Sequence, residues 1–172
     1  LKGAILCADA VNAVSPTYAE ELKNAAFAHG LDPILRSCGH KLRGILNGID
    51  TVRYDPAADR GIAANFDLDH MDGKAEDKRQ LRRLFGLPEA ENTPVIGMVT
   101  RLVSHKGLDL VREGLGDLMA SPVQLAVVGS GDRRYEDFFR WAQGNYPGRV
   151  AAHIGYSEEL AMGVYAGADL FL

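Results

Sequence analysis

Two cations, Arg101 and Lys106, stand where an apolar run gives way to a helical pattern. The run VIGMV at 95–99 is typical of a buried strand, and the helical pattern begins at Gly107. A helix N-terminus carries free N–H groups and favours an anion, and an Arg fork beside a Lys point charge suits a diphosphate. On spacing alone, the alternative of two solvated surface cations stays open. Because a lysine opposes the helix dipole there, we favour an anion ligand.

Glycines mark two further strand-to-helix junctions. Gly129 and Gly131 follow the apolar run VQLAVV and would let the backbone approach a ligand closely, although a plain tight turn explains them as well. The third glycine of the dinucleotide fingerprint is absent. At the next junction Gly155 permits close approach, and the Tyr156 ring could stack on a base or pack against the rim of the sheet.

An asparagine completes the set of candidate residues. Asn47 lies with Gly48 in the turn-rich stretch LNGID. An asparagine in such a turn commonly bonds to its own backbone, so this stretch by itself favours no chemistry.

Other common chemistries lack support in the sequence. There is no Gly-Xaa-Ser-Xaa-Gly motif and no Cys/His pair in a defined context, and no carboxylate stands out as a general acid or nucleophile. The five histidines are scattered without metal-ligand spacing. We therefore expect no metal and no cofactor.

The elements that would position these residues form a regular series in the second half of the chain. Apolar runs alternate with helical patterns of about ten residues, which predicts an α/β fold with a doubly wound parallel sheet. In such sheets ligands bind at the carboxyl ends of the strands, where the candidate residues lie. The predicted strands are 93–99, 123–129, 150–155 and 169–172, and the predicted helices are 107–119, 133–143 and 157–168.

The first half reads differently. Ser15-Pro16 predicts a helix N-terminus, and the helix is expected to run to about Ala28. Residues 34–46 predict a loop leading into a short strand, and residues 46–59 a turn-rich connector. A charged helix over 74–85 is expected to end at Gly86.

Composition narrows the function classes. The chain has 172 residues, 47% of them hydrophobic, two cysteines and a formal net charge of −4. This charge argues against a nucleic-acid binder, and no stretch is apolar enough for a membrane span. We expect a soluble, cytoplasmic chain that is a piece of a longer protein.

Six blocks in this order make the interpretation specific. They are ADAVNAVSPTYAEEL, GILNGIDTVRYDPAAD, GKAEDKRQLRRLFGL, VTRLVSHKGLDLV, LAVVGSGDRRYEDFF and IGYSEELAMGVYAGAD. Together they resemble the bacterial glycogen synthase and starch synthase family over nearly the whole chain. SPTYAEE and LNGID followed by DPAAD are the most distinctive of these blocks.

The resemblance implies the two-domain GT-B fold, with two Rossmann-like domains. Residues 1–46 would be the end of the N-terminal, acceptor-side domain, and residues 47–172 the first part of the nucleotide-sugar-binding domain. The implied reaction transfers glucose from ADP-glucose to the non-reducing end of an α-1,4-glucan, with retention and without a metal.

The resemblance also assigns roles to the candidate residues. Arg101 and Lys106 match cations that hold the donor diphosphate, and Tyr156 matches a position near the adenine. Asn47 matches an asparagine near the sugar. The glycine turns at Gly129, Gly131 and Gly155 match backbone approaches to the nucleotide.

Some parts of the family pattern are missing. The Lys-Xaa-Gly-Gly segment, the active-site histidine of the N-terminal domain and the Glu-Pro-Cys-Gly-Leu segment with the candidate catalytic carboxylate are not in this sequence. Smaller departures are His105 in place of Gln and Tyr54 in place of Trp. We therefore expect that the 172-residue chain alone does not transfer glucose.

Three rival hypotheses remain at this point. One is a related retaining transferase that uses UDP-glucose, and another is a non-catalytic nucleotide-sugar binding module. The third is a plain structural α/β domain, in which Arg101 and Lys106 would be replaceable without effect on ligand binding.

Overall fold

The computed structural model describes residues 1–172 and divides into two compact units, residues 1–51 and 52–172. Both units are built around parallel strands, so the chain is α/β. The division falls after Thr51, whereas the sequence places the domain boundary between residues 46 and 47. No helix in either unit is both long and apolar enough to cross a membrane.

The first unit holds a two-stranded parallel sheet and three short helices. Its elements are α1 (Lys2–Cys7), β1 (Val11–Ala13), α2 (Pro16–Glu21), α3 (Asp32–Ser37) and β2 (Leu42–Gly44). Val11 pairs with Leu42 in the parallel register. A small core joins all these elements through Ile5, Ala13, Ala19, Leu35 and Leu42.

The helix prediction for this unit is right at its start and wrong at its end. The Ser15 hydroxyl accepts a hydrogen bond from the Tyr18 amide at 3.0 Å, which confirms the N-cap. The helix stops at Glu21 rather than near Ala28. The Asn24 side chain then accepts from the amide of Ala26 at 3.0 Å, a local turn that competes with helix.

The stretch predicted as a loop before the short strand contains a helix instead. α3 covers residues 32–37, with Pro33 in its first turn, and the predicted short strand follows as β2. Pro33 has the φ angle that a helix start requires, so it begins α3 rather than breaking it.

The second unit is a four-stranded parallel sheet with helices on both faces. Its elements are α4 (Asp72–Phe85), β3 (Val95–Val99), α5 (Leu108–Ala120), β4 (Gln124–Gly129), α6 (Arg133–Asn145), β5 (Val150–Ile154), α7 (Glu158–Gly167) and β6 (Leu170–Phe171). The strand order is β5-β4-β3-β6, and every neighbouring pair is parallel. These bounds confirm the predicted strands and helices to within a few residues.

Side chains of alternate strand residues lie on opposite faces of the sheet and belong to two separate cores. On one face Met98 and Val127 pack with α5 and α6 through residues such as Leu115 and Phe139. On the other face Val95, Ala126 and Val128 pack with Leu81 of α4 and Val164 of α7. Burial on both faces explains why the strands read as continuous apolar runs.

Two residues shape the second face. A Cβ at Gly97 would lie 2.5 Å from Val164 Cγ1, so the absence of a side chain lets α7 pack closely on β3. Gly86 ends α4 with a φ of 63°, as predicted.

Candidate functional site

A cavity of about 230 Å³ lies at the carboxyl ends of β3, β4 and β5. The three strands are in register there, since the Thr100 amide donates to the Val128 carbonyl at 3.1 Å and the Gly155 amide to the Gly129 carbonyl at 2.9 Å. Each of the three strand-to-helix junctions contributes to the wall. The lining includes Thr100, Arg101, Gly129, Ser130, Gly155, Tyr156 and Ser157.

Arg101 follows β3 and lines this cavity. Its side chain is exposed and forms neither an ion pair nor a hydrogen bond in the structure. Lys106 is also exposed and unpaired, but it is not part of the cavity wall. Both charges are therefore free to meet an anion from solvent.

The position of Lys106 differs in detail from the prediction. It ends a short 3-10 turn, Ser104–Lys106, instead of beginning the helix. Gly107 follows with a φ of 73°, and α5 begins at Leu108. The left-handed glycine reorients the chain between the turn and the helix, so Lys106 precedes the helix N-terminus by two residues.

Gly129 and Gly131 are required by the approach of two backbone segments. A Cβ at Gly129 would lie 2.1 Å from the Thr100 carbonyl oxygen, and one at Gly131 would lie 2.4 Å from that of Leu102. Gly129 lines the cavity and Gly131 does not. The close approach at these glycines is to the protein's own chain, which explains both glycines without a ligand.

The third junction presents Tyr156. Gly155 has a φ of 151°, a conformation that side-chain-bearing residues rarely adopt, and it turns the chain sharply after β5. Tyr156 is 86% exposed. Packing of its ring against the rim of the sheet is therefore not observed, and the ring face is available to a ligand. The Ser157 hydroxyl caps α7 by accepting from the Leu160 amide at 3.3 Å.

Asn47 lies in the first unit, in the irregular connector that follows β2. Its side chain is exposed. The structure thus brings Arg101, Gly129, Gly155 and Tyr156 to one cavity, with Lys106 and Gly131 on the flanking loops.

Sequence reasoning missed two features of the site. The first is Leu102, fully buried, whose backbone forms a parallel bridge with Gly131. The second is Glu136 of α6, whose carboxylate accepts from the Gly131 amide at 3.0 Å. An acid in the first turn of the helix after the Gly-Xaa-Gly sequence was the available signal for this second contact.

Comparison with known proteins finds similarity to glycogen and starch synthases. A family model described as the starch synthase catalytic domain matches residues 1–37. Two proteins called glycogen synthase, from Bacillus cereus (strain Q1) and Bacillus anthracis, are each 52% identical over all 172 residues of this chain. The chain is homologous to a segment of the glycogen synthases.

This segment is a minor part of the relatives, since the chain spans 36% of the length of these two proteins. The fold agrees with the sequence homology. A solved structure, the catalytic domain of starch synthase IV from Arabidopsis thaliana bound to ADP and acarbose, superposes with a TM-score of 0.91 at 36% identity. The match covers 99% of this chain and 35% of that one, which confirms the α/β glycosyltransferase fold.

Proposed function

We propose that this chain is the nucleotide-holding part of a glycogen or starch synthase. The reaction transfers glucose from ADP-glucose to the non-reducing end of an α-1,4-glucan, with retention at the anomeric carbon. Arg101 and Lys106 bind the donor diphosphate, Tyr156 lies against the adenine, and Asn47 faces the sugar. Gly129, Gly131 and Gly155 shape the nucleotide's surroundings.

One observation carries this proposal: an unpaired arginine stands beside a cavity at the carboxyl ends of three parallel strands. Arg101 is exposed, has no carboxylate partner, and shares the cavity wall with Tyr156. An anionic group with an attached ring system fits this combination of free charge and free ring face. The homologous starch synthase structure contains ADP and acarbose, a nucleotide and a sugar oligomer.

The cations would act on the leaving group. As the bond between glucose and the diphosphate breaks, negative charge grows on the departing phosphate oxygen. Fixed positive charges aimed at this oxygen stabilise the transition state more than the ground state, which raises the rate. The reaction as proposed needs no metal or cofactor from this chain.

The roles of the two domains predicted from the sequence, with their boundary between residues 46 and 47, are part of the same proposal. Residues 1–46 belong to the acceptor side and residues 47–172 to the donor side. The carboxylate that assists glucose transfer is assigned to a segment outside this sequence, so the 172-residue chain by itself is proposed to be inactive. The cytoplasm is the proposed location.

Glucose transfer by the complete protein that contains this chain tests the proposal. With glycogen as acceptor, ADP-glucose should be used and Arg101→Ala should lower kcat/KM by about 100-fold, the scale expected when one charge-stabilising group is lost. Arg79→Ala, which removes an exposed cation paired with Glu76, is the matched control and should leave the rate unchanged.

Each other outcome would select a rival. Preference for UDP-glucose in direct competition would favour the related transferase. Nucleotide-sugar binding without transfer would favour the binding module. Equal rates for Arg101→Ala and the wild type would remove Arg101 from the site.

A further inference from the structure

The loop from Arg101 to Gly107, here called the cation loop, is fastened at both ends by one segment of the chain. That segment runs from Ser130 to Tyr135, between the end of β4 and the first turn of α6. The two fastenings differ in kind, because one uses backbone and the other side chains.

The first fastening holds the Leu102 peptide. Its amide donates to the Ser130 carbonyl at 2.9 Å, and its carbonyl accepts from the Asp132 amide at 2.7 Å. Leu102 itself is fully buried, whereas its two partners, Ser130 and Asp132, are exposed. The Arg101 end of the cation loop is thus fixed to the second junction.

The second fastening lies just beyond the Lys106 end. The hydroxyl of Tyr135, a fully buried residue, donates to Asp109 Oδ2 in the first turn of α5 at 2.9 Å. Arg134 Nη2 donates to the same hydroxyl oxygen at 2.6 Å. This hydroxyl forms a direct hydrogen bond between the first turns of α5 and α6.

Two neighbouring arginines compensate the negative charge of Asp109. Arg112 Nη2 lies 3.2 Å from Asp109 Oδ1, and Arg134 Nη2 lies 3.9 Å from Oδ2. Arg134 also stands over the Tyr135 ring, 4.4 Å from its centroid. The carboxylate is therefore held in place next to the cation loop without opposing an anion bound there.

We propose that Tyr135 is a positioning residue for diphosphate binding. By holding Asp109 it fixes the start of α5 and, through Gly107, the direction of Lys106. This inference rests on the proposed function, because it names what sets the affinity of the same donor site.

The Tyr135→Phe variant of the complete protein tests the inference, since it removes one hydroxyl and keeps the buried ring. ADP affinity measured by calorimetry should fall by about five- to tenfold. This is less than the full energy of one hydrogen bond to a charged group, because Tyr135 acts on the ADP site only indirectly. Adenosine, which lacks the diphosphate, should bind equally to both proteins. Tyr146→Phe, on a half-buried tyrosine whose ring contacts Trp141, is the matched control and should change neither affinity.

Hydrogen exchange and a double-mutant cycle distinguish positioning of the cation loop from a general structural role of Tyr135. Under the proposal, amide hydrogen exchange in Tyr135→Phe rises in residues 104–110 and stays at the wild-type level in β3, β4 and β5. In a double-mutant cycle, Tyr135→Phe with Asp109→Ala should be no weaker in ADP binding than Asp109→Ala alone. Asp109→Asn, which keeps the acceptor oxygen, should retain the protection of residues 104–110.

Two failures are distinguishable. If the wild type binds ADP and Tyr135→Phe binds it equally well, the positioning role is wrong and the proposed function stands. If the wild type binds no ADP, the proposed function fails and the inference fails with it. A general rise in exchange over the whole second unit would also overturn the inference.

Discussion

Arg82 at the amino end of the four-stranded sheet and Arg101 at its carboxyl end have opposite surroundings. At the amino end Arg82 is 2% exposed and donates to Gln124 Oε1 at 2.8 Å and to the carbonyls of Ala90 and Thr93, each at 2.7 Å. At the carboxyl end Arg101 is exposed and has no such partner.

Other cations at the amino end also have partners within the chain, as Arg82 does. Arg149 donates to the carbonyl of Val123 at 2.5 Å and also to that of Ser121. Lys78 lies 2.8 Å from Asp169, the residue before β6. The amino end of the sheet therefore uses its cations to bind its own chain.

The two ends offer a cation different backbone groups. At the amino end, carbonyls in the loops that lead into β3 and β4 accept from Arg82 and Arg149. At the carboxyl end the helices begin and leave free N–H groups, which offer a cation nothing. Arg101 has neither a backbone nor a side-chain partner there, and this leaves it available to a ligand's anion.

The largest expected effect on stability comes from replacing Arg82 by alanine, and the matching replacement of Arg101 should have almost none. Arg82→Ala removes three hydrogen bonds, leaves the buried Gln124 Oε1 without its donor, and should lower the free energy of unfolding by about 3–5 kcal/mol. Arg101→Ala should change it by less than about 0.5 kcal/mol, as for an isolated surface residue. Urea unfolding of the 172-residue chain, followed by the fluorescence of Trp141, the one tryptophan in this sequence, measures this in the second unit. Equal losses of unfolding free energy in both variants would contradict the difference between Arg82 and Arg101.

A smaller effect tests how tightly the carboxyl end is built. A methyl group at Gly129 would meet the Thr100 carbonyl oxygen at 2.1 Å, so Gly129→Ala should destabilise the unit by about 1–3 kcal/mol. Gly114→Ala, in an exposed part of α5 with nothing within 4 Å, should stabilise it by about 0.5–1 kcal/mol. The same unfolding experiment applies, and a neutral Gly129→Ala would contradict the described contact.

The cap of α7 gives a smaller effect still. Ser157→Ala removes the acceptor for the Leu160 amide at the cavity wall and should cost about 1 kcal/mol. Ser157→Asn, which preserves a capping oxygen, should recover most of the loss. Thermal unfolding measures both, and identical midpoints for the alanine and asparagine variants would argue against the cap.

The smallest effect concerns pH. Burial first, and then the hydrogen bond to Asp109, raise the pKa of Tyr135 above the usual tyrosine value. A raised pKa means that the stability contributed by the neutral phenol is complete below the ordinary pKa and is lost as the pH rises through the folded-state pKa. The stability difference between the wild type and Tyr135→Phe should therefore shrink at alkaline pH, and ultraviolet titration should show one of the six tyrosines ionising late. A stability difference that stays constant as the pH rises into the alkaline range would contradict the raised pKa of Tyr135.

Sequence patterns predicted the second unit well because its strands are buried on both faces. VIGMV has no polar residue, VQLAVVG has only Gln124 at its start, and glycine and serine mark the helix ends. The first unit has helices of six residues, too short to show a helical period, so α1 and α3 were missed.

The sequence could select the residues that line the candidate cavity, but it could not give their arrangement. Arg101, the glycines and Tyr156 could be selected from their places after strands. The bridge between Leu102 and Gly131, and the link from Tyr135 to Asp109, depend on which strand neighbours which, and the sequence spacing does not contain this. The same applies to the missing ion-pair partner of Arg101.

Calorimetric titration of the complete protein with ADP tests the central claim most directly. The wild type is compared with Arg101→Ala/Lys106→Ala and with Arg79→Ala/Arg83→Ala, which removes the same charge from two exposed cations paired with Glu76. The first double variant should lose at least about 2 kcal/mol of binding free energy, or about 30-fold in affinity, while the second stays within about twofold. If both double variants bind ADP as the wild type does, the free cations at the carboxyl end of the sheet do not hold the nucleotide, and the account is wrong.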